Sequence, residues 1–433
     1  MSMNKAIFWF RRDLRLKDNR GLFEALKSGN KVIPIFIFDK NILKNFSDPK
    51  DKRVSFIHHR LSTLHQELKE YGANLRVFYS TPSQVFQDLI KTEEFDAVYT
   101  NRDYEPSAIK RDHEISDLLF RHRISFHTFK DHVIFEGDEI LKNDRTPYTV
   151  YTPYKNKWLQ NLTAKDTASF LSEKALDNLH KEKASKIISL TDMGYEDVGE
   201  IFPKAQIEKV KLKDYHNTRD IPAIDGTSLQ GIHLRFGTIS IREYVREAKK
   251  INETWLSELI WREFFSQILF NFPNVVNEEF KEKYRKIPWS HDQNNFKRWC
   301  EGQTGFPIVD AGMRELNKTG HMHNRVRMIT ASFLVKDLQI DWRLGEKYFA
   351  SKLLDFDLAS NNGNWQWASS SGCDAAPYFR IFNPTTQMEK FDPELIYVKK
   401  WVPEFGTSDY VKPMVDHKVA REKTLALYKE NLD

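Results

Sequence analysis

Val32-Ile33-Pro34-Ile35-Phe36-Ile37-Phe38 is an unbroken apolar run of strand length, bounded by Lys31 and Asp39. A strand with no polar face is buried on both sides, the habit of a parallel sheet covered by helices. Ala6-Ile7-Phe8-Trp9-Phe10 precedes it, and Leu75-Arg76-Val77-Phe78 and Ala97-Val98-Tyr99 follow it, all readable as buried strands. Phe56 to Tyr71 and Pro106 to Phe120 carry apolar residues at helical spacing between them. This βαβα order predicts a doubly wound parallel-sheet domain over residues 1–130. No Gly-rich phosphate loop follows the first strand, so a dinucleotide fingerprint is absent there.

Beyond the sheet the pattern changes. Residues 131–200 are polar and irregular, with Pro147 and Pro153 and a charged run from Lys174 to Lys186, and read as an interdomain linker with some helix. From 201 to 433 the periodicity is helical. Trp255 to Phe270, Ile308 to Thr319, His323 to Leu338 and Gly345 to Leu354 each carry it. The fold class is therefore α/β plus all-α. Eight of the ten tryptophans lie after residue 250, so the two parts do different work.

Among 433 residues, 40% are hydrophobic and 29% charged, as in ordinary globular proteins, and the formal net charge of +5 permits a nucleic-acid partner without requiring one. Cys300 and Cys373 are the only cysteines, too few for a disulfide framework or a thiolate metal site. No metal is expected. The apolar run at the N-terminus is broken at once by Arg11-Arg12-Asp13, unlike a signal peptide, and no stretch has membrane-spanning length. A cytoplasmic monomer is the expectation.

The chemistry concentrates in Asp355-Phe356-Asp357-Leu358-Ala359-Ser360-Asn361-Asn362-Gly363-Asn364-Trp365-Gln366-Trp367. Carboxylates and amides can hold a polar ring by its edge, and indoles can stack on flat ligands or carry an electron. Packing explains two tryptophans alone, but not the polar groups crowded beside them. Glu258, Trp261, Arg262 and Phe265 share one helical face, where Trp261 suits a base plane and Glu258 a base edge. A surface ion pair beside half-buried aromatics is the plainer alternative. Asn324, Arg327 and Met328 share a second face, and Arg327 needs a carboxylate if buried, with Asp355 a candidate. Thr227-Ser228 offers hydroxyls and amides suited to phosphate, or merely a helix cap.

Taken in order, these stretches resemble the photolyase/cryptochrome flavoproteins nearly end to end. The resemblance rests on Trp9-Phe10-Arg11-Arg12-Asp13-Leu14-Arg15, Tyr215-His216-Asn217-Thr218-Arg219-Asp220 and Asp225-Gly226-Thr227-Ser228. It continues through Glu258-Leu259-Ile260-Trp261-Arg262-Glu263-Phe264, Thr304-Gly305-Phe306-Pro307, Met322-His323-Asn324-Arg325, Asn361-Asn362-Gly363-Asn364-Trp365-Gln366-Trp367 and Tyr378-Phe379-Arg380-Ile381-Phe382-Asn383-Pro384. It implies a helical domain holding FAD through Tyr215, Thr227, Ser228, Leu229, Gln230, Gly231, Arg262, Arg327, Asp355, Phe356, Asp357 and Asn361. Trp365, Trp342 and Trp289 are implied as an electron relay from flavin to surface.

Within the family the chain looks most like class I cyclobutane pyrimidine dimer photolyases, because Asn324 and Met328 stand where (6-4) photolyases have histidines. The resemblance then implies light-driven electron transfer from reduced FAD to a flipped-out dimer in UV-damaged DNA. Glu258, Asn324, Met328 and Asn361 are the implied catalytic set. Arg219, Glu258, Trp261, Phe265, Asn324, Arg325, Trp367 and Arg380 are the implied DNA contacts. A blue-light receptor and a single-strand-restricted photolyase are the rival readings. No long tail follows Pro413-Met414-Val415-Asp416-His417, which favours repair. Three departures stand out: Gly231 replaces a serine of the phosphate loop, His321 a tryptophan and Asn364 a glycine. Pro106-Ser107-Ala108 lacks the Asn-Glu pair of folate-binding relatives, which leaves an antenna of folate or deazaflavin type open.

Overall fold

The computed structural model describes residues 4–199 and 202–432. They form two compact units.

The first unit takes residues up to 136 together with 161–207 and 229–250. Its centre is a five-stranded parallel sheet in the order β3-β2-β1-β4-β5, with β1 Lys5–Phe10, β2 Lys31–Asp39, β3 Arg76–Ser80, β4 Ala97–Asn101 and β5 Ser125–Phe129. The pleat divides the apolar runs between two cores, as the twofold side-chain alternation demands. Phe8, Phe10, Val32, Phe36 and Phe38 fill one face, and Ile7, Trp9, Ile33, Ile35 and Ile37 the other. Pro34 sits in an interior strand, where a missing N–H would normally break a ladder. The β2–β3 pairing begins only at Ile35, so at Pro34 that side of β2 has no partner to lose. The segment read as a linker is divided: 161–199 pack with the sheet, and 137–160 belong to the second unit.

Residues 229–250 join the sheet unit through buried charge. Arg242 pairs with Asp18 at 2.9 Å and Asp131 at 2.8 Å, and Arg15 meets Asp131 at 2.6 Å. These groups are nearly inaccessible, and the two guanidiniums hold the Asp131 carboxyl well below the usual carboxylate range despite its burial.

The second unit comprises 137–160, 208–228 and 251–432 of the described residues and is helical. Its central helix, Glu253–Asn271, packs against Leu358–Ser369, which in turn packs against Trp342–Lys352. Gly363 permits the first approach, since a Cβ there would fall 2.1 Å from Phe265, and Gly345 permits the second, where a Cβ would fall 2.2 Å from Trp365. The predicted helix from His323 to Leu338 is an α-helix over Asn324–Ser332 that loosens into a π-helical turn over Phe333–Asp337. No described helix is long and apolar enough to cross a membrane.

Candidate active site

The Leu358–Ser369 helix starts where Asp357 accepts the Ser360 N–H at 3.1 Å, which satisfies an otherwise orphaned donor. That cap fixes which side chains of the sequence stretch face inward. Asn362 and Gln366 turn to the chain at 275–278, both donating to the Val275 carbonyl at 2.9 Å, with Gln366 also reaching Glu278 at 3.0 Å. Their amides are structural. Asn361, Asn364, Trp365 and Trp367 line an open pocket with about 600 Å³ of space including its mouth.

That pocket gathers Asn324, Arg327, Met328, Asp355, Phe356, Asp357, Asn361, Trp365 and Trp367. Arg327 pairs with Asp355 at 3.0 Å and also donates through Nε to the Met322 carbonyl at 2.7 Å, so both ends of the guanidinium are committed. The Asp355 Oδ1 is buried and accepts no hydrogen bond from the protein. Such an oxygen wants a donor. Asn361 donates its amide to the Glu346 carbonyl at 3.0 Å and to Glu346 Oε1 at 2.8 Å. Its own oxygen is thereby the group offered to the pocket. Burial pushes the Glu346 carboxyl up, and the Asn361 hydrogen bond opposes that. Glu346 was not singled out from sequence, because fifteen residues and an interhelical turn separate it from its partner.

These groups fit FAD. The orphaned Asp355 oxygen and the Asn361 oxygen can accept from the N–H edge of a flat heterocycle, and Phe349, Leu353, Phe356 and Trp365 offer apolar walls. Tyr215 is buried on the short helix Tyr215–Thr218, and Arg219 lies over its ring at 5.8 Å. Thr227 and Ser228 follow Gly226, whose Cβ, were it present, would fall 2.6 Å from Thr218. Of the other expected cofactor ligands, Arg262 is half-buried on the central helix, while Leu229, Gln230 and Gly231 belong to the sheet unit. There the Gln230 side chain is bound to the Lys204 carbonyl and the Tyr244 hydroxyl.

The expected DNA-facing residues are held by a chain of ion pairs. Arg219 pairs with Glu258, and Arg325 pairs with Asp220 at 2.8 Å while its guanidinium lies over Phe391 at 4.4 Å. Burial pushes the Glu258 carboxyl up, against the pull of Arg219. Arg380 is exposed. Trp261 is half-buried, with one face taken by Tyr151 at 3.5 Å between ring centroids. Phe265, expected at the DNA, is buried against Gly363 and helps hold two helices together.

His323 caps the Asn324 helix by accepting the Arg325 N–H on Nδ1 at 3.2 Å, which keeps that nitrogen unprotonated. Burial lowers its pKa from 6.5 to about 4, with Glu315 and Asp220 opposing and His321 and Arg327 assisting. An unfolded histidine takes its proton near pH 6.5, so stability is full above that value and is lost as pH falls toward 4. Wild type is expected to lose about 2 kcal/mol more than His323→Asn between pH 7.5 and 5 in urea unfolding, since asparagine also caps helices. Equal losses in the two proteins would refute this.

Comparison with known proteins agrees with this geometry. The family profile for the FAD binding domain of DNA photolyase matches residues 255–408, and that for DNA photolyase matches 6–172. A deoxyribodipyrimidine photo-lyase of Alkalihalophilus pseudofirmus is 37% identical over 478 residues, covering 98% of each chain. That of Escherichia coli K12 is 35% identical over 470 residues, again covering 98% of each. Among solved structures, a bacterial class III photolyase from Agrobacterium tumefaciens superposes with a TM-score of 0.88 at 32% identity, covering 99% of this chain and 98% of that one. An archaeal photolyase from Sulfolobus tokodaii, solved with two FAD molecules, gives 0.80 at 34%, covering 98% and 100%. With relatives this similar over nearly its whole length, the chain belongs to the photolyase/cryptochrome family.

Proposed function

We propose that this protein is a DNA photolyase that splits cyclobutane pyrimidine dimers with light, using FAD. The observation that carries the reading is a single pocket lined on one side by ring-edge acceptors, Asp355 and Asn361, and on another by Asn324, Met328 and Trp367. A cofactor and a base can therefore meet in one cavity. Bound FAD, once reduced, supplies the electron that opens the dimer on illumination.

The remaining chemistry belongs to side chains. Arg327 and Asp355 clamp the cofactor edge, and Glu346 orients Asn361 beside it. Asn324 is exposed at the start of its helix and offers an amide to a base carbonyl, where charge grows as the dimer is reduced. Met328 and Trp367 give the flipped bases an apolar wall that excludes water. Arg219, Arg325 and Arg380 supply cations for phosphates, which position the duplex without reading it. Drawing Arg219 to a phosphate releases Glu258 for a base edge. Flipping costs least at a damaged step, which favours the lesion over intact DNA. The protein acts as a monomer in the cytoplasm, and Cys300 and Cys373, both free and buried, suit a reducing compartment.

The decisive assay mixes purified, reduced protein with dimer-containing duplex and follows the return of thymine absorbance under blue light. Recovery in light and none in darkness is expected. No recovery with flavin-loaded protein would sink the proposal.

Binding supplies a second test. Trp261→Ala is expected to weaken affinity for dimer-containing duplex by roughly 1–3 kcal/mol while undamaged duplex, held through phosphates, changes little at the same salt concentration. An equal fall for both would make Trp261 a folding residue.

A further inference from the structure

We propose that Tyr151 is a positioning residue for lesion recognition, holding the indole of Trp261 in the plane a flipped base must meet. The inference rests on the repair reading above. Tyr151 opens the helix Tyr151–Asn161, and its ring lies flat on Trp261, with centroids 3.5 Å apart and planes 7° from parallel. Few side chains offer so large a flat contact; Phe265 also packs against the indole, at 5.6 Å between centroids, so the part of Trp261 left for a ligand is what these rings do not cover.

Three further contacts keep the phenol ring where it is. Its hydroxyl donates to the Ser257 carbonyl at 2.8 Å, one helical turn before Trp261 on the same helix. Phe264 meets both rings edge-on, at 5.7 Å from Tyr151 and 5.6 Å from Trp261. The Tyr151 N–H donates to Asp374 Oδ2 at 3.1 Å, tying the helix start to the segment that carries Arg380. Asp374 adopts a left-handed φ of 48°, a conformation that costs a non-glycine residue and persists where neighbouring contacts hold it.

The helix does not depend on Tyr151 for its placement. Seven residues along, Trp158 donates from Nε1 to Glu263 Oε1 at 2.5 Å, both side chains buried. Loss of the Tyr151 ring should therefore free Trp261 to turn without unfolding the unit. A residue that merely filled space would change stability and leave the choice between damaged and intact DNA untouched.

The test measures affinity for dimer-containing and undamaged duplex, at one salt concentration, in wild type, Tyr151→Ala, Trp261→Ala and the double variant. Tyr151→Ala should lower the ratio of the two affinities about fivefold. The double variant should be no worse than Trp261→Ala alone, because the two rings act as one unit, and Tyr151→Phe should keep most of the ratio. If Tyr151→Ala folds poorly, Tyr151→Leu keeps the bulk without the flat face and is held to the same criterion. An unchanged ratio in the Tyr151 variants beside a lowered one in Trp261→Ala overturns this inference alone, as do strictly additive losses. An unchanged ratio in Trp261→Ala overturns the assignment of Trp261 to lesion recognition, and this inference with it, while leaving the light-dependent repair assay to judge the repair reading itself.

Discussion

Trp365→Phe is expected to abolish light-driven reduction of oxidised FAD while leaving repair by chemically reduced protein largely intact. Trp365 is buried in the pocket wall and presses on Gly345 of the neighbouring helix. Trp342 lies three residues before Gly345, on the same face of that helix, and is also buried. Its Nε1 donates to Glu279 Oε1 at 3.2 Å, and Arg343, which pairs with the same carboxylate at 2.7 Å, lies over the indole at 4.9 Å, so the two charges act on the ring in opposite senses. Trp289 adjoins Ser290, which bridges to Ile340 two residues before Trp342, and it is partly exposed. Trp365 and Trp342 are both buried and Trp289 alone is partly exposed, so the series ends at the surface, where an oxidised indole can be re-reduced from solution. Trp299 also meets Trp365 edge-on at 6.1 Å, but it is fully buried with its Nε1 bound to the Thr330 carbonyl. A hole there would leave by way of Tyr348, 5.8 Å away and partly exposed, and not through another tryptophan. Phenylalanine fills most of the indole's space and is much harder to oxidise. Transient absorption of the oxidised protein, with a repair assay on dithionite-reduced protein, measures both halves. Normal photoreduction in the variant would mean that the relay starts elsewhere.

The parts of this arrangement differ in how visible they are in sequence. The four strands read from apolar runs are all present; the three inner ones are covered on both faces and leave few polar positions to blur the pattern, while β3, at the other edge, was legible from its Val77-Phe78 core alone. The fifth, Ser125–Phe129, escaped notice because it is an edge strand of mixed polarity. The long helices were legible from their apolar periodicity, and so was the Arg327–Asp355 pair, since a guanidinium turned toward the core needs a counter-charge. What stayed hidden was set by tertiary contact. Nothing local marks Asn362 and Gln366 as braces and Asn361 as a pocket residue, because the choice depends on where Val275 lies. Phe265 shares a helical face with Trp261, yet Gly363 opposite it provides a socket that buries it. The Tyr151–Trp261 stack joins residues 110 positions apart and has no signature in either segment.

The Arg327–Asp355 pair also sets the largest binding effect expected. Wild type should purify with FAD, identified by chromatography after denaturation, and Arg327→Met should purify without it. Among the described residues the guanidinium is the partner of one Asp355 oxygen, and the other oxygen is buried and without a donor from the protein. Methionine removes that cation, leaves a carboxylate with neither oxygen satisfied, and releases the Met322 carbonyl that Arg327 Nε also held. Truncating one partner of a hydrogen-bonded charge pair costs about 2–5 kcal/mol when the site is dry, and the partial exposure of this pair places the effect toward the lower end. FAD affinity should accordingly fall on the order of thirtyfold or more. Arg327→Lys separates charge from geometry, for an ammonium can face Asp355 or the Met322 carbonyl but lacks the planar fork that reaches both. It should bind FAD more weakly than wild type and more tightly than the methionine variant. Flavin fluorescence titration of the apoproteins gives the three affinities, and full FAD occupancy in Arg327→Met would show that the cofactor does not use this edge of the pocket.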